Sequence, residues 1–122
     1  VLVGGDTTRG PLSLSVTAMG RVPRGNALCR DGARAGDDIW VTGAPGEAAA
    51  ALELWQSGRL DVARVADDAA HEWLRQRLQR PHPRVQAGLR LRGLATACID
   101  VSDGLLADLG HLCRCSGVAA QL

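Results

Sequence analysis

The alternation of apolar and polar residues along the chain predicts a mixture of helices and short strands. From Leu12 to Ala18, apolar residues alternate with Ser and Thr, which predicts a half-buried strand. Further short strands are predicted at 1–3, 39–43, 96–101 and 118–122. Helical periodicity predicts helices at 44–58, 67–81, 83–95 and 102–117. This order of elements indicates an α+β or mixed α/β fold.

The first predicted helix has signals at both ends and one apolar face. Pro45 suits the first turn of a helix, and Gly58 suits its end. Ala48, Leu52 and Trp55 follow one another at helical spacing, so they share one face of the predicted helix.

The turn "RVPRGN" predicts a domain boundary near residue 24. Within the second part, Asp67 or Asp68 is expected to cap the helix that follows. With 46% apolar residues, the chain has enough material to bury a core.

Length, charge and cysteine content restrict the possible functions. The 122 residues begin in an apolar run without Met and stop just after another apolar segment starts, so we expect a fragment. A net charge of +1 does not indicate nucleic acid or an anionic membrane as a partner. All 14 basic residues are Arg, which excludes sites that use lysine. The four cysteines lack zinc-site spacing, so reduced thiols in the cytoplasm are expected.

The segment "GGDTTRG", residues 4–10, places one carboxylate among glycines, hydroxyls and an arginine. Magnesium prefers hard oxygen ligands, and glycines allow the backbone to approach a phosphate closely. Asp6 is therefore a candidate ligand in a magnesium–phosphate site. The alternative is a β-turn in which Asp6 and the threonines bond their own backbone.

The segment "ACIDVSDGL" places Asp100, Ser102 and Asp103 where a predicted strand ends and a helix begins. Ser102 or Asp103 could serve as the helix N-cap, but a cap does not explain Asp100. A carboxylate at the end of an apolar strand is costly unless it is paired or bound to metal. Because Asp100 and Asp103 would repel each other without a cation, we interpret them as a magnesium-linked pair.

The segments "GGDTTRGPLSLSVTAMGRVP", "LCRDGARAGDDIWVTGAPGEAAAAL" and "LQRPHPRVQAGLRLRGLATACIDVSDGLLADLGHL" resemble, in this order, the middle of bacterial thiamine-monophosphate kinases. That family is similar to aminoimidazole ribonucleotide synthetase and selenophosphate synthetase. The resemblance implies an N-terminal domain whose sheets join across a homodimer and a C-terminal α+β domain. It implies that residues 1–24 are the last strands of the first domain and that residues 25–122 are the front part of the second. It is weakest between residues 56 and 75.

The resemblance implies transfer of a phosphoryl group from ATP to thiamine monophosphate, with several Mg²⁺ ions. It implies ATP contacts at Gly5, Asp6, Arg30 and Ser102. It implies magnesium ligands at Asp6, Asp100 and Asp103. By itself, Arg30 has the character of an ordinary surface arginine. No general base is expected, because the attacking phosphate oxygen is already ionised.

Three alternatives remain at this stage. The chain could belong to another ATP-dependent enzyme of the same superfamily, to a paralogue that binds nucleotide or thiamine phosphate without turnover, or to an inert structural domain. The 122 residues alone are expected to have no kinase activity, because the upstream acidic segments and the downstream thiamine-binding part of the family lie outside them.

Overall fold

The computed structural model describes residues 4–5 and 10–122, and it contains four helices in this part of the chain. The helices are α1 (Glu47–Gln56), α2 (Ala69–Gln79), α3 (Val85–Leu91) and α4 (Leu105–Ser116). All four predicted helices are confirmed, each shorter than its predicted span and α3 about half as long. Two of the predicted end signals are also confirmed: Gly58 has φ +72° just after α1, and Asp68 caps α2.

Helices α1 and α2 are the one pair of helices that pack together within the described residues. The Glu47 carboxylate joins them, accepting hydrogen bonds from Trp73 Nε1 and Arg77 Nε, both at 2.9 Å. The Arg77 guanidinium also lies 5.7 Å from the centroid of the Trp73 ring. The first turn of α1 is thereby fixed to the middle of α2.

The buried apolar residues in the described part of the chain are Ala51 and Leu60. Ala48, Leu52 and Trp55, which share one face of α1, are all exposed, Leu52 and Trp55 by 38% and 49%. Ala51 lies one helical turn after Glu47 and therefore on the same side of α1. Burial of Leu60 contributes about 1.5–3 kcal/mol to stability.

None of the described residues forms a β-strand, so the predicted α+β class is not confirmed. Leu12, Leu14 and Val16, the apolar side of the predicted strand at 12–18, are each at least 87% exposed. A strand needs a neighbouring strand to satisfy its backbone N–H and C=O groups, and no described segment supplies one here. The predicted strand at 1–3 lies outside the described residues.

The segment that precedes α4 lies against the segment around Arg30. The Cys98 N–H donates to the Cys29 carbonyl at 2.8 Å, and Thr96 Oγ1 donates to Asp37 Oδ2 at 2.6 Å. These bonds join parts of the chain that are more than fifty residues apart. No helix in the described ranges has the length and hydropathy needed to cross a bilayer.

Candidate functional site

The residues between Asp100 and Asp103 form an exposed turn directly before α4. Asp100, Ser102 and Asp103 are all exposed, and Ser102 Oγ lies 3.4 Å from Asp103 Oδ1. Gly104 ends the turn with φ +123°, a conformation that favours glycine. The turn therefore presents its polar side chains to solvent.

The buried carboxylate of Asp108 holds this turn in place. Its Oδ2 atom accepts hydrogen bonds from the backbone N–H groups of Ser102, at 2.8 Å, and Asp103, at 3.0 Å. The bond from Ser102 is the largest cause of the lowered pKa of Asp108. Sequence reasoning missed Asp108, although the only acidic residue of a predominantly apolar first half of α4 was the available signal.

The prediction that Ser102 or Asp103 caps α4 is wrong. The N-cap residue is Gly104, and no side chain accepts a capping hydrogen bond there. Asp108 instead reaches back from the first turn and satisfies the N–H groups that precede the helix. Because a capping role is not required of them, the side chains of Ser102 and Asp103 remain available to a ligand.

Asp103, Asp108 and His111 offer ligand atoms that lie within 4.8 Å of one another. One oxygen of Asp108 is already used by two backbone N–H groups, and Arg114 Nη2 lies 2.9 Å from His111 Nδ1. Magnesium prefers hard oxygen ligands, and the Asp103 carboxylate is exposed, so Asp103 is the member of this cluster that fits a magnesium ion best. Asp100 is not part of the cluster.

Arg30 is exposed, and the backbone around it is anchored on both sides. Cys29 O accepts the hydrogen bond from Cys98, two residues before Asp100. Ser116 Oγ donates to Arg30 O and accepts from Ala33 N, both at 3.1 Å. No sequence pattern indicates Ser116, because its partners are more than eighty residues away.

Arg30 and Asp103 are attached to opposite ends of α4. The helix has 12 residues and is therefore about 18 Å long. Ser116, which binds the backbone at Arg30, is its last residue, whereas Asp103 lies two residues before its first. The Arg30 segment is also bonded, through the Cys29 carbonyl, to Cys98, which lies just before the acidic turn.

The "GGDTTRG" motif is described only in part. Gly5 is exposed, and a Cβ atom added to it would meet no atom within 4 Å. Asp6 and the three residues after it lie outside the described residues. The expected contact between Asp6 and the Asp100–Asp103 turn therefore stays a prediction.

Comparison with known proteins shows close relatives over almost the whole chain. Thiamine-monophosphate kinases from Salmonella typhimurium and Escherichia coli are 51% and 50% identical to it over 121 residues. The same enzyme from Haemophilus influenzae is 40% identical over 121 residues. These alignments cover 99% of this chain but 35–36% of the relatives, so the chain spans about a third of their length.

A solved structure agrees with these relatives. The crystal structure of thiamine-monophosphate kinase from Stenotrophomonas maltophilia K279a matches with a TM-score of 0.77 and 59% identity. The match covers 79% of this chain and 30% of that one. No family model matches the chain. The resemblance to thiamine-monophosphate kinase that the motifs predicted is confirmed by these relatives.

Proposed function

We propose that this chain, a homologue of a segment of thiamine-monophosphate kinase, supplies part of the active site of an enzyme that phosphorylates thiamine monophosphate. The reaction would consume ATP and produce ADP and thiamine diphosphate. The observation that carries the proposal is the sequence identity of 40–51% to these kinases, in alignments that cover 99% of this chain. The exposed acidic turn before α4 is consistent with it.

Asp100 and Asp103 are the residues that would hold Mg²⁺, together with Asp6. The donor set fits, because carboxylates are the ligands that magnesium prefers and the side chains of Asp100 and Asp103 are exposed. When bound, the ion would neutralise charge on the transferred phosphoryl group. Asp108 supports this arrangement by holding the backbone of the turn.

Arg30, Ser102 and Gly5 would contact the nucleotide. The ATP phosphates would lie at the turn that carries Asp100 and Asp103, where the proposed magnesium ligands are. Phosphoryl transfer depends mainly on positioning and on charge neutralisation. A guanidinium group and aspartates provide both, so the absence of lysine does not oppose the proposal.

The same homology supports a proposal about the domains, location and oligomeric state of the complete enzyme. Residues 1–24 would belong to an N-terminal ATP-binding domain, and residues 25–122 to a C-terminal domain of α+β type. Strands such as 12–18 would then pair with segments outside this chain, which would cover their exposed apolar side chains. The complete enzyme would be a cytoplasmic homodimer.

The test is a coupled assay of ADP formation with thiamine monophosphate, ATP and Mg²⁺, using the full-length protein that contains this sequence. We expect Asp100→Asn and Asp103→Asn each to lower turnover at least about 100-fold, since each removes a charged ligand. Raising the Mg²⁺ concentration should restore part of the loss.

Asp67→Asn is the matched control, because Asp67 is also an exposed aspartate but lies beside α2. It should leave turnover unchanged. Unchanged rates in both site variants would remove Asp100 and Asp103 from the metal site. Binding of ATP without any turnover would favour the non-catalytic paralogue instead. The 122-residue chain assayed alone is expected to be inactive.

A further inference from the structure

We propose that Ser116 is a positioning residue that fixes Arg30 for its contact with the nucleotide. The inference rests on the proposed function, since it assumes that Arg30 binds ATP. It adds a residue that lies outside both sequence motifs and at the far end of α4 from the acidic turn.

The Ser116 hydroxyl makes two hydrogen bonds to one short stretch of backbone. It donates to Arg30 O and accepts from Ala33 N, so it bridges a carbonyl and an N–H group three residues apart. Among uncharged small side chains, a hydroxyl is able to donate and accept at once. Alanine at this position would leave both backbone groups without this partner.

Ser116 acts together with a second, independent anchor. The Cys98 N–H holds the carbonyl of Cys29, directly before Arg30. The peptide groups on both sides of the Arg30 Cα atom are therefore held by hydrogen bonds, one to Cys98 before the acidic turn and one to Ser116 after it. A long, flexible side chain that starts from a fixed backbone loses less freedom when it binds a ligand, and this preorganisation increases affinity.

Ser116 also links the Arg30 segment to the helix that follows the acidic turn. The Asp103 turn lies before the first residue of α4, and Ser116 is the last residue of that helix. Without the Ser116 hydroxyl, the Arg30 segment would keep the Cys29–Cys98 hydrogen bond and the close approach of Gly32 to Thr96, but it would lose both bonds to Ser116.

The experiment measures steady-state kinetics and ATP binding in the full-length protein. Ser116→Ala should raise the KM and Kd for ATP about five- to tenfold, as expected for the loss of one or two neutral hydrogen bonds. The KM for thiamine monophosphate should not change. Ser116→Thr keeps a hydroxyl and should restore most of the affinity.

Ser57→Ala is the matched control. Ser57 follows the last residue of α1, and its hydroxyl also makes two hydrogen bonds, donating to Leu54 O and accepting from Arg59 Nε. It does not contact the Arg30 segment. The control should therefore leave the ATP parameters at their wild-type values.

A double-mutant cycle separates positioning from a general loss of structure. In an Arg30→Ala background, Ser116→Ala should cause no further increase in the Kd for ATP. A full additional penalty in that background, or wild-type ATP affinity in Ser116→Ala, would overturn the inference.

A failure of the proposed function can be distinguished from a failure of the role proposed for Ser116. If the wild-type protein binds ATP but does not phosphorylate thiamine monophosphate, the kinase assignment is wrong, and the role of Ser116 is still decided by the Kd values. If the wild-type protein does not bind ATP, both proposals fail.

Discussion

Replacing Gly32 with alanine tests the contact between the Arg30 segment and the segment that leads to Asp100. A Cβ atom at position 32 would lie 2.0 Å from the carbonyl oxygen of Thr96 and 3.1 Å from its carbonyl carbon. Real Cβ atoms essentially never lie closer than 3.0 Å to such a heavy atom. Both atoms near the new methyl group are backbone, so no side-chain rotation relieves the clash.

The expected cost follows from these distances. The two segments must separate by about 1 Å, which would lengthen the Cys98 N to Cys29 O hydrogen bond well beyond its present 2.8 Å. Overpacking typically costs 1–3 kcal/mol, and the lost hydrogen bond adds roughly 1 kcal/mol. We therefore expect Gly32→Ala to lower the free energy of unfolding by about 2–4 kcal/mol, against a usual total of about 5–15 kcal/mol.

Urea unfolding followed by circular dichroism at the helix band measures this change. Gly88→Ala is the control, because Gly88 lies within α3 and an added Cβ meets no atom within 4 Å. Alanine inside a helix should raise the free energy of unfolding by about 0.5–1 kcal/mol. The two substitutions, chemically identical, should thus shift stability in opposite directions. A Gly32→Ala protein as stable as the wild type would refute the reasoning.

Two further substitutions test local networks. Glu72 accepts hydrogen bonds from Arg75 that help to lower its pKa from 4.5 to about 2, so its stabilising contribution is complete above pH 4.5 and lost as the pH falls toward 2. Glu72→Gln should flatten the pH dependence of Tm in that range. Glu53→Gln, at a largely exposed position, should not change it. An equal dependence of Tm on pH in the wild type and in Glu72→Gln would contradict this. Asp108→Ala should raise the Mg²⁺ concentration needed for half-maximal activity. Asp108→Asn should raise it less, because the remaining oxygen can still accept a hydrogen bond from the Ser102 N–H. A wild-type magnesium dependence in Asp108→Ala would show that the turn keeps its conformation without the carboxylate.

The helices were predictable because their signals are local. The periodicity of apolar residues placed all four, and Asp68 and Gly58 marked ends that the structure confirms. Capping and helical hydrogen bonds join residues only a few positions apart, so the information needed lies within each segment. The motif aspartates were recognisable for the same reason, as short patterns with a specific chemistry.

Predictions that depended on contacts between distant segments were less successful than those of the helices. The strand pattern at 12–18 was clear, yet strand formation depends on a second segment that local sequence does not identify. The four consecutive alanines of α1 also gave no indication of which one is buried, and the structure buries Ala51 alone among the residues of this helix.

The sequence by itself determined the helices, the family resemblance and the residue types at the acidic turn. Only the tertiary structure decided that Asp108, rather than Ser102 or Asp103, satisfies the N–H groups before α4, and that Ser116 holds the backbone at Arg30. The last contact spans 86 positions in the chain. A bond of that kind depends on how whole elements pack, and no pattern around either residue records it.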